Sequence, residues 1–91
     1  MPKRTDANQT AIVSAFRKLG ATVAITSALG KGFPDLVVGY RGQNFLVEIK
    51  DGSKPPSAQK LTPDEAAFVE KWRGQYDIIR SVDDVLALLN D

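Results

Sequence analysis

Two apolar runs, Leu36-Val37-Val38-Gly39-Tyr40 and Phe45-Leu46-Val47-Glu48-Ile49-Lys50, flank Arg41-Gly42 at a short gap. Their β-branched and aromatic residues favour extended backbone, and a glycine in so short a gap marks a reversal. The chain is therefore expected to make a hairpin here, and that hairpin constrains everything packed around it. Side chains alternate along a strand, so Glu48 and Lys50 share one face and Ile49 takes the other. With a two-residue turn, Tyr40 pairs with Gln43 and Asp35 stands opposite Glu48. A four-residue loop sets Asp35 opposite Lys50, with Glu48 beside it. Either way Asp35, Glu48 and Lys50 meet on one face. A three-residue loop sends Asp35 to the other face, because a slip of one residue flips every side chain. Phe45, Val47 and Ile49 are expected to be the buried half of the strand, and Glu48 and Lys50 the exposed half.

The remaining elements follow from periodicity and caps. Ile12, Val13, Phe16 and Leu19 repeat at helical spacing, predicting a helix over 6–19 with Asp6 as N-cap, Gln9 as its capping-box partner and Gly20 just beyond the end. A strand is expected over 21–26, a loop over 27–34, the hairpin strands over 35–40 and 44–50, and an exposed loop over 51–60. Thr62-Pro63-Asp64-Glu65 carries an N-cap, a proline at the first helical position and an acid at N3, a strong helix start. Phe68, Val69 and Trp72 form that helix's apolar face, and Gly74 ends it. Phe68 and Trp72 are read as core or dimer interface. A fourth strand over 76–80 leads to a short helix. Ser81 and Asp84 form its capping box, with Val82, Val85, Leu86 and Leu89 inward. The order αβββαβα predicts an α/β (α+β) fold, a small mixed central sheet flanked by helices.

The 91 residues suffice for one domain, 1–91, and an oligomer interface would add to the modest burial of so small a chain. No apolar run is long enough for a membrane helix, and MPKRTDANQT has no apolar core for a secretory signal. Cysteine and histidine are both absent. That removes disulfides, thiolate or imidazole zinc sites, and Ser-His or Cys-His catalysis within the chain. It also permits a reducing, cytoplasmic setting. Any metal must be held by oxygen, which points to a hard cation such as Mg2+ or Mn2+. The net charge of +1 announces no broad nucleic-acid surface, so basic contacts would have to be local.

The hairpin face supplies the chemistry. Two carboxylates opposite each other repel by roughly 0.2–1 kcal/mol on an open sheet, and more when buried. A divalent cation between Asp35 and Glu48 removes that repulsion, and the Ile49 carbonyl adds an oxygen ligand. Lys50 is placed to orient or deprotonate an attacking water, or to stabilise a pentacovalent phosphate. This is what metal-assisted phosphodiester hydrolysis needs. Singly, each feature has a plainer reading: Glu-x-Lys as a paired surface charge, and Asp after Pro as a turn residue. Their convergence favours a site.

Pro34-Asp35 followed by Glu48-Ile49-Lys50 matches the PD-(D/E)xK nuclease pattern, and the chain resembles its VRR-NUC branch, the virus-type replication-repair nucleases. The resemblance takes in the first helix, Gly32-Phe33-Pro34-Asp35-Leu36, Glu48-Ile49-Lys50, Leu61-Thr62-Pro63-Asp64-Glu65, and the closing strand with Ser81-Val82-Asp83-Asp84. It implies a restriction-endonuclease-like fold in a single VRR-NUC-like domain. It implies cutting of DNA with Mg2+ or Mn2+, held by Asp35, Glu48 and the Ile49 carbonyl, with Lys50 as the catalytic lysine. It also implies a homodimeric Holliday-junction resolvase acting on branched DNA inside the cell, of a kind that phages encode.

The family carries an acid on the first helix, matched here by Asp6, whose alternative is the N-cap. Members often have Gln where this chain has Glu65, so Glu65 is read as a capping-box residue, with Gln59 as an exposed loop residue or a substitute for that Gln. Lys31, Lys54, Lys60 and Ser27, with Phe33, are the candidate DNA contacts. A non-catalytic DNA-binding module of the same fold, and a nicking or restriction-type nuclease, are the alternatives.

Overall fold

The computed structural model describes residues 7–90. The elements are α1 (Ala7–Lys18), β1 (Thr22–Ile25), β2 (Leu36–Tyr40), β3 (Gln43–Ile49), α2 (Pro63–Lys71), β4 (Asp77–Ile79) and α3 (Val82–Leu89), with 3-10 turns at Ser27–Leu29 and Pro56–Gln59. This is the expected order αβββαβα. The sheet runs β1-β2-β3-β4. β1, β2 and β3 are antiparallel neighbours, and β4 lies parallel to β3, so the sheet is mixed. Antiparallel strands can turn back within two residues, whereas the parallel step needs a crossover, and α2 makes it.

The hairpin takes the two-residue turn. Tyr40 pairs with Gln43 and Leu36 with Val47. Arg41 and Gly42 both have positive φ, 50° and 78°, the requirement of a type I′ turn, whose twist suits the flanking strands. The Arg41 guanidinium lies 5.1 Å from the Tyr40 ring centroid, a contact that offsets part of the strain of a left-handed arginine.

This register sorts the side chains. Val23, Leu36, Val38, Val47, Ile49 and Ile79 face one side, where Ile12, Val13 and Phe16 of α1 and Val85 and Leu89 of α3 cover them. Each fully buried side chain of this size contributes about 1.5–3 kcal/mol over leaving it exposed. α1 stops at Lys18, one residue ahead of the expected end. Ala21 N donates to Phe16 O and Gly20 N to Arg17 O, both at 3.1 Å, a Schellman pattern that turns the chain back under its own last turn. Leu19 lies outside that helix and is 40% exposed, so the apolar stripe is one residue shorter than its spacing suggested.

α3 departs from expectation in two ways. Val82 and Leu86 are exposed, Val85 and Leu89 are buried in the core, and Leu88 packs against it. The Ser81–Asp84 capping box does not form. The Asp84 carboxylate accepts from Arg80 N at 2.8 Å instead, and Asp84 N donates to Ser81 O.

The opposite side of the sheet carries α2, a helix with no fully buried residue. Its Phe68 stacks on Trp72 (5.2 Å between centroids), meets Phe33 edge-on (5.5 Å), and lies 6.0 Å from Tyr76. Trp72 is not core: it is 42% exposed, caps α2 and donates through Nε1 to Gln75 O. α2 thus ends at Lys71, ahead of Gly74. This thin cover leaves one end of the hairpin to be lined by polar groups. Among the described residues no helix is long and apolar enough to cross a membrane.

Candidate active site

Asp35 is set by both neighbours of its strand. Thr26 N donates to its carbonyl at 2.8 Å and Thr26 Oγ1 to the carbonyl of buried Pro34 at 2.7 Å. Its carboxylate accepts from Ile49 N through Oδ2 at 2.8 Å. The side chain therefore takes the place of a ladder partner just past the last β2–β3 pair. Carried one step beyond Leu36–Val47, the register sets Asp35 opposite Glu48.

Glu48 and Lys50 are not the exposed half of β3. Glu48 is 2% exposed and the Lys50 side chain 12%, because the first turn of α2 closes over them. Both faces of β3 are thus buried at its end, one by the apolar core and one by charge. Lys50 Nζ donates to Glu65 Oε1 at 2.7 Å and lies 3.7 Å from Glu48 Oε2. Glu65 Oε1 also accepts from Thr62 N at 2.9 Å, while Glu65 N donates to Thr62 Oγ1. The capping box read from the sequence is present, and the same carboxylate oxygen holds Lys50. This second role was missed, since it depends on where the crossover lands α2.

Two carboxyls, Glu48 and Glu65, therefore meet one lysine, and Asp35 lies close enough to Glu48 to act on its charge. Burial, then Glu65 and Asp35, push the Glu48 carboxyl up to about 9, with Lys50 working against them. For Glu65 burial works in the same direction. The hydrogen bonds from Lys50 and Thr62, and from Glu48, outweigh it and hold that carboxyl below its usual value. Glu48 Oε1 is buried without a hydrogen-bond partner, as is the hydroxyl of Tyr76. Buried polar atoms are ordinarily satisfied, so two orphans on one face mark a place built for something further. Among the described residues no group of three or more acidic side chains forms a cage for a metal ion. A cation here would rest on two carboxylates and main-chain oxygen, leaving room for water, which suits Mg2+ better than a closed protein cage does.

The other sequence candidates are dispersed. Asp6 lies outside the described residues. Asn8, two residues on, donates to the Lys50 carbonyl at 2.9 Å and so ties α1 to the end of β3. Lys31, Lys54 and Lys60 are exposed, and Ser27 is half-buried in the first 3-10 turn. Gln59 is not a free loop residue. It accepts from Arg80 Nε at 2.9 Å and donates to Lys54 O at 2.7 Å, bracing the segment after Lys50 against the end of β4.

With this geometry in place, comparison with solved structures is informative. One solved chain, described as a VRR_NUC domain, superposes with a TM-score of 0.65 at 28% sequence identity, over 90% of this chain and 89% of that one. The chain has the fold of a VRR-NUC domain. No protein-family model matches the sequence, and no curated protein matches it. The VRR-NUC fold explains the placement just described. A mixed sheet whose parallel fourth strand demands a crossover brings α2 to the mouth of the hairpin. There its first turn meets the Glu-x-Lys that ends β3, with the acid that opens β2 opposite Glu48.

Proposed function

We propose that this VRR-NUC domain is a divalent-metal-dependent endonuclease that hydrolyses phosphodiester bonds in DNA. The observation that carries the reading is the buried, unpartnered Glu48 Oε1 beside Asp35, in a cluster of three carboxyls and one lysine. The crowding of carboxyls that pushes Glu48 toward its protonated form is what a bound cation would relieve. Asp35, Glu48 and the Ile49 carbonyl are the groups that would hold Mg2+ or Mn2+. When bound, such an ion polarises the scissile phosphate and lowers the pKa of the attacking water. The protein's own part is orientation and charge. Ile49 N fixes Asp35, Glu65 fixes Lys50, and the Lys50 ammonium faces the phosphate oxygens as negative charge builds on them. Lys31, Lys54, Lys60 and Ser27 are the proposed contacts to flanking phosphates.

The substrate we favour is branched DNA cut by a homodimer. The exposed Ile25 (53%) and Leu29 (65%) beside the open edge of β1 support a second copy docking there. The test is cleavage of a four-way junction against plain duplex, with Mg2+ and with EDTA. Asp35→Ala and Lys50→Ala are each expected to lower the cleavage rate at least about a hundredfold while the fold persists. Wild-type cutting by either variant would remove the assignment. Equal cutting of junction and duplex would remove branch specificity and keep the nuclease.

A further inference from the structure

The mechanism leaves one buried polar group of the site unused, the Tyr76 hydroxyl. Tyr76 directly precedes β4, whose Asp77 pairs with Val47 and whose Ile78 pairs with Glu48. Alternation puts Tyr76 on the Glu48 face, one strand across and two residues back. At roughly 3.3 Å per residue and 4.8 Å between strands, its Cα is about 8 Å from that of Glu48, within reach of an aromatic side chain. The ring packs near Phe68, with 6.0 Å between the ring centroids. Burial, and then the charges of Glu48, Glu65 and Asp35, hold the phenol above its ordinary pKa, so the hydroxyl lies in the field of all three carboxyls. It nevertheless bonds none of them: both the hydroxyl and Glu48 Oε1 are without partners. A donor and an acceptor buried on one face without pairing are a mismatch that a bridging group would resolve.

Resting on the metal-dependent reading above, we propose that Tyr76 is a positioning residue for the cation. Its hydroxyl donates to the hydration shell that a bound ion brings to the Glu48 side of the site. The residue touches neither metal nor substrate. It supplies an outer hydrogen bond of the kind that orients ligands and tunes affinity. A purely structural tyrosine would pair its hydroxyl within the protein, and this one does not.

The test is Tyr76→Phe in the full chain, with calorimetric titration of Mn2+ alone, without DNA, and thermal melting of the metal-free protein. The expected result is Mn2+ binding weakened roughly 10- to 100-fold, with a melting temperature equal to or above wild type, because the variant deletes an unsatisfied buried group. Wild-type Mn2+ affinity in the variant overturns the proposal. So does a fall in melting temperature, which would make the hydroxyl a structural group. Tyr76→Leu serves as a second variant. If the hydroxyl alone matters, it weakens Mn2+ as much as phenylalanine does, and a loss seen only with leucine overturns the proposal by assigning the effect to the ring. No Mn2+ binding by the wild type overturns the metal-dependent reading itself, and this inference with it.

Discussion

Glu48→Gln is expected to abolish metal-dependent DNA cleavage and at the same time to stabilise the metal-free fold at pH 8. The loss of cleavage, at least about a hundredfold, follows from removing a ligand charge at the point where the reaction needs it. The gain in stability follows from linkage. The Glu48 carboxyl sits near 9 in the fold and near 4.5 otherwise. Below pH 4.5 both folded and unfolded chains carry the proton and nothing is lost. Between 4.5 and about 9 the unfolded chain releases it while the fold keeps it, so stability falls by about 1.4 kcal/mol per pH unit at most. Above 9 the loss levels off. Glutamine has no proton to keep and still offers an amide to Glu65. In EDTA the melting temperatures of variant and wild type should therefore nearly coincide at pH 4.5 and separate progressively toward pH 8, the variant being higher. An equal gap at both pH values would show that burial of Glu48 charge is not what the fold resists. Adding Mg2+ at pH 8 should raise the wild type and leave the variant unmoved.

Gly32→Ala is the second large effect. Gly32 has φ +80°, and a Cβ there would overlap the Asp64 carbonyl and lie 2.8 Å from Glu65 N. These atoms are backbone of the first turn of α2, so no rotamer change relieves the clash. The left-handed backbone costs roughly 1–2 kcal/mol for alanine and overpacking a further roughly 1–3. At roughly 4–8 °C per kcal/mol for a domain of this size, the melting temperature should drop by more than 10 °C. Gly30 provides the control. Its φ is +73°, yet nothing lies within 4 Å of a Cβ, so Gly30→Ala should show the backbone part alone. Equal losses for the two variants would mean that the loop does not press on α2. The clash also has a consequence at the site: moving that turn carries Glu65 away from Lys50, so cleavage should fall further for Gly32→Ala than for Gly30→Ala.

What could be read from the sequence was whatever local chemistry decides. Arg41-Gly42 located the hairpin and narrowed it to a few loop lengths, and the two-residue turn that forms brings Asp35 opposite Glu48. Thr62-Pro63-Asp64-Glu65 announced the start of α2 through groups that bond within one turn. What could not be read depends on contacts distant in sequence. Alternation says which face Glu48 takes, but not that α2 covers that face, so the charged half of β3 read as exposed. Tyr76 gave no signal because its value lies in the parallel register of β4 against β3, set by the crossover and not by any local pattern. The same holds for Gln59 and Arg80, 21 residues apart and joined by one bond. Asp84 matched a capping template, yet its carboxylate accepts from the amide of Arg80, one residue ahead of the expected cap.

One oxygen, Glu65 Oε1, is shared between the Thr62 amide and the Lys50 ammonium. The first of these bonds starts a helix and the second aims a side chain, so a shift of the carboxylate bears on both. Fraying of α2 from its N-terminal end releases Lys50 from its tether, and a ligand that recruits Lys50 draws on the helix cap. Hydrogen exchange at the Thr62 amide would then report the readiness of the site, slowing when the lysine is engaged in place and quickening when it is pulled away. A helix end that elsewhere would be a matter of stability alone becomes a local opening equilibrium on which the reach of a reactive group depends.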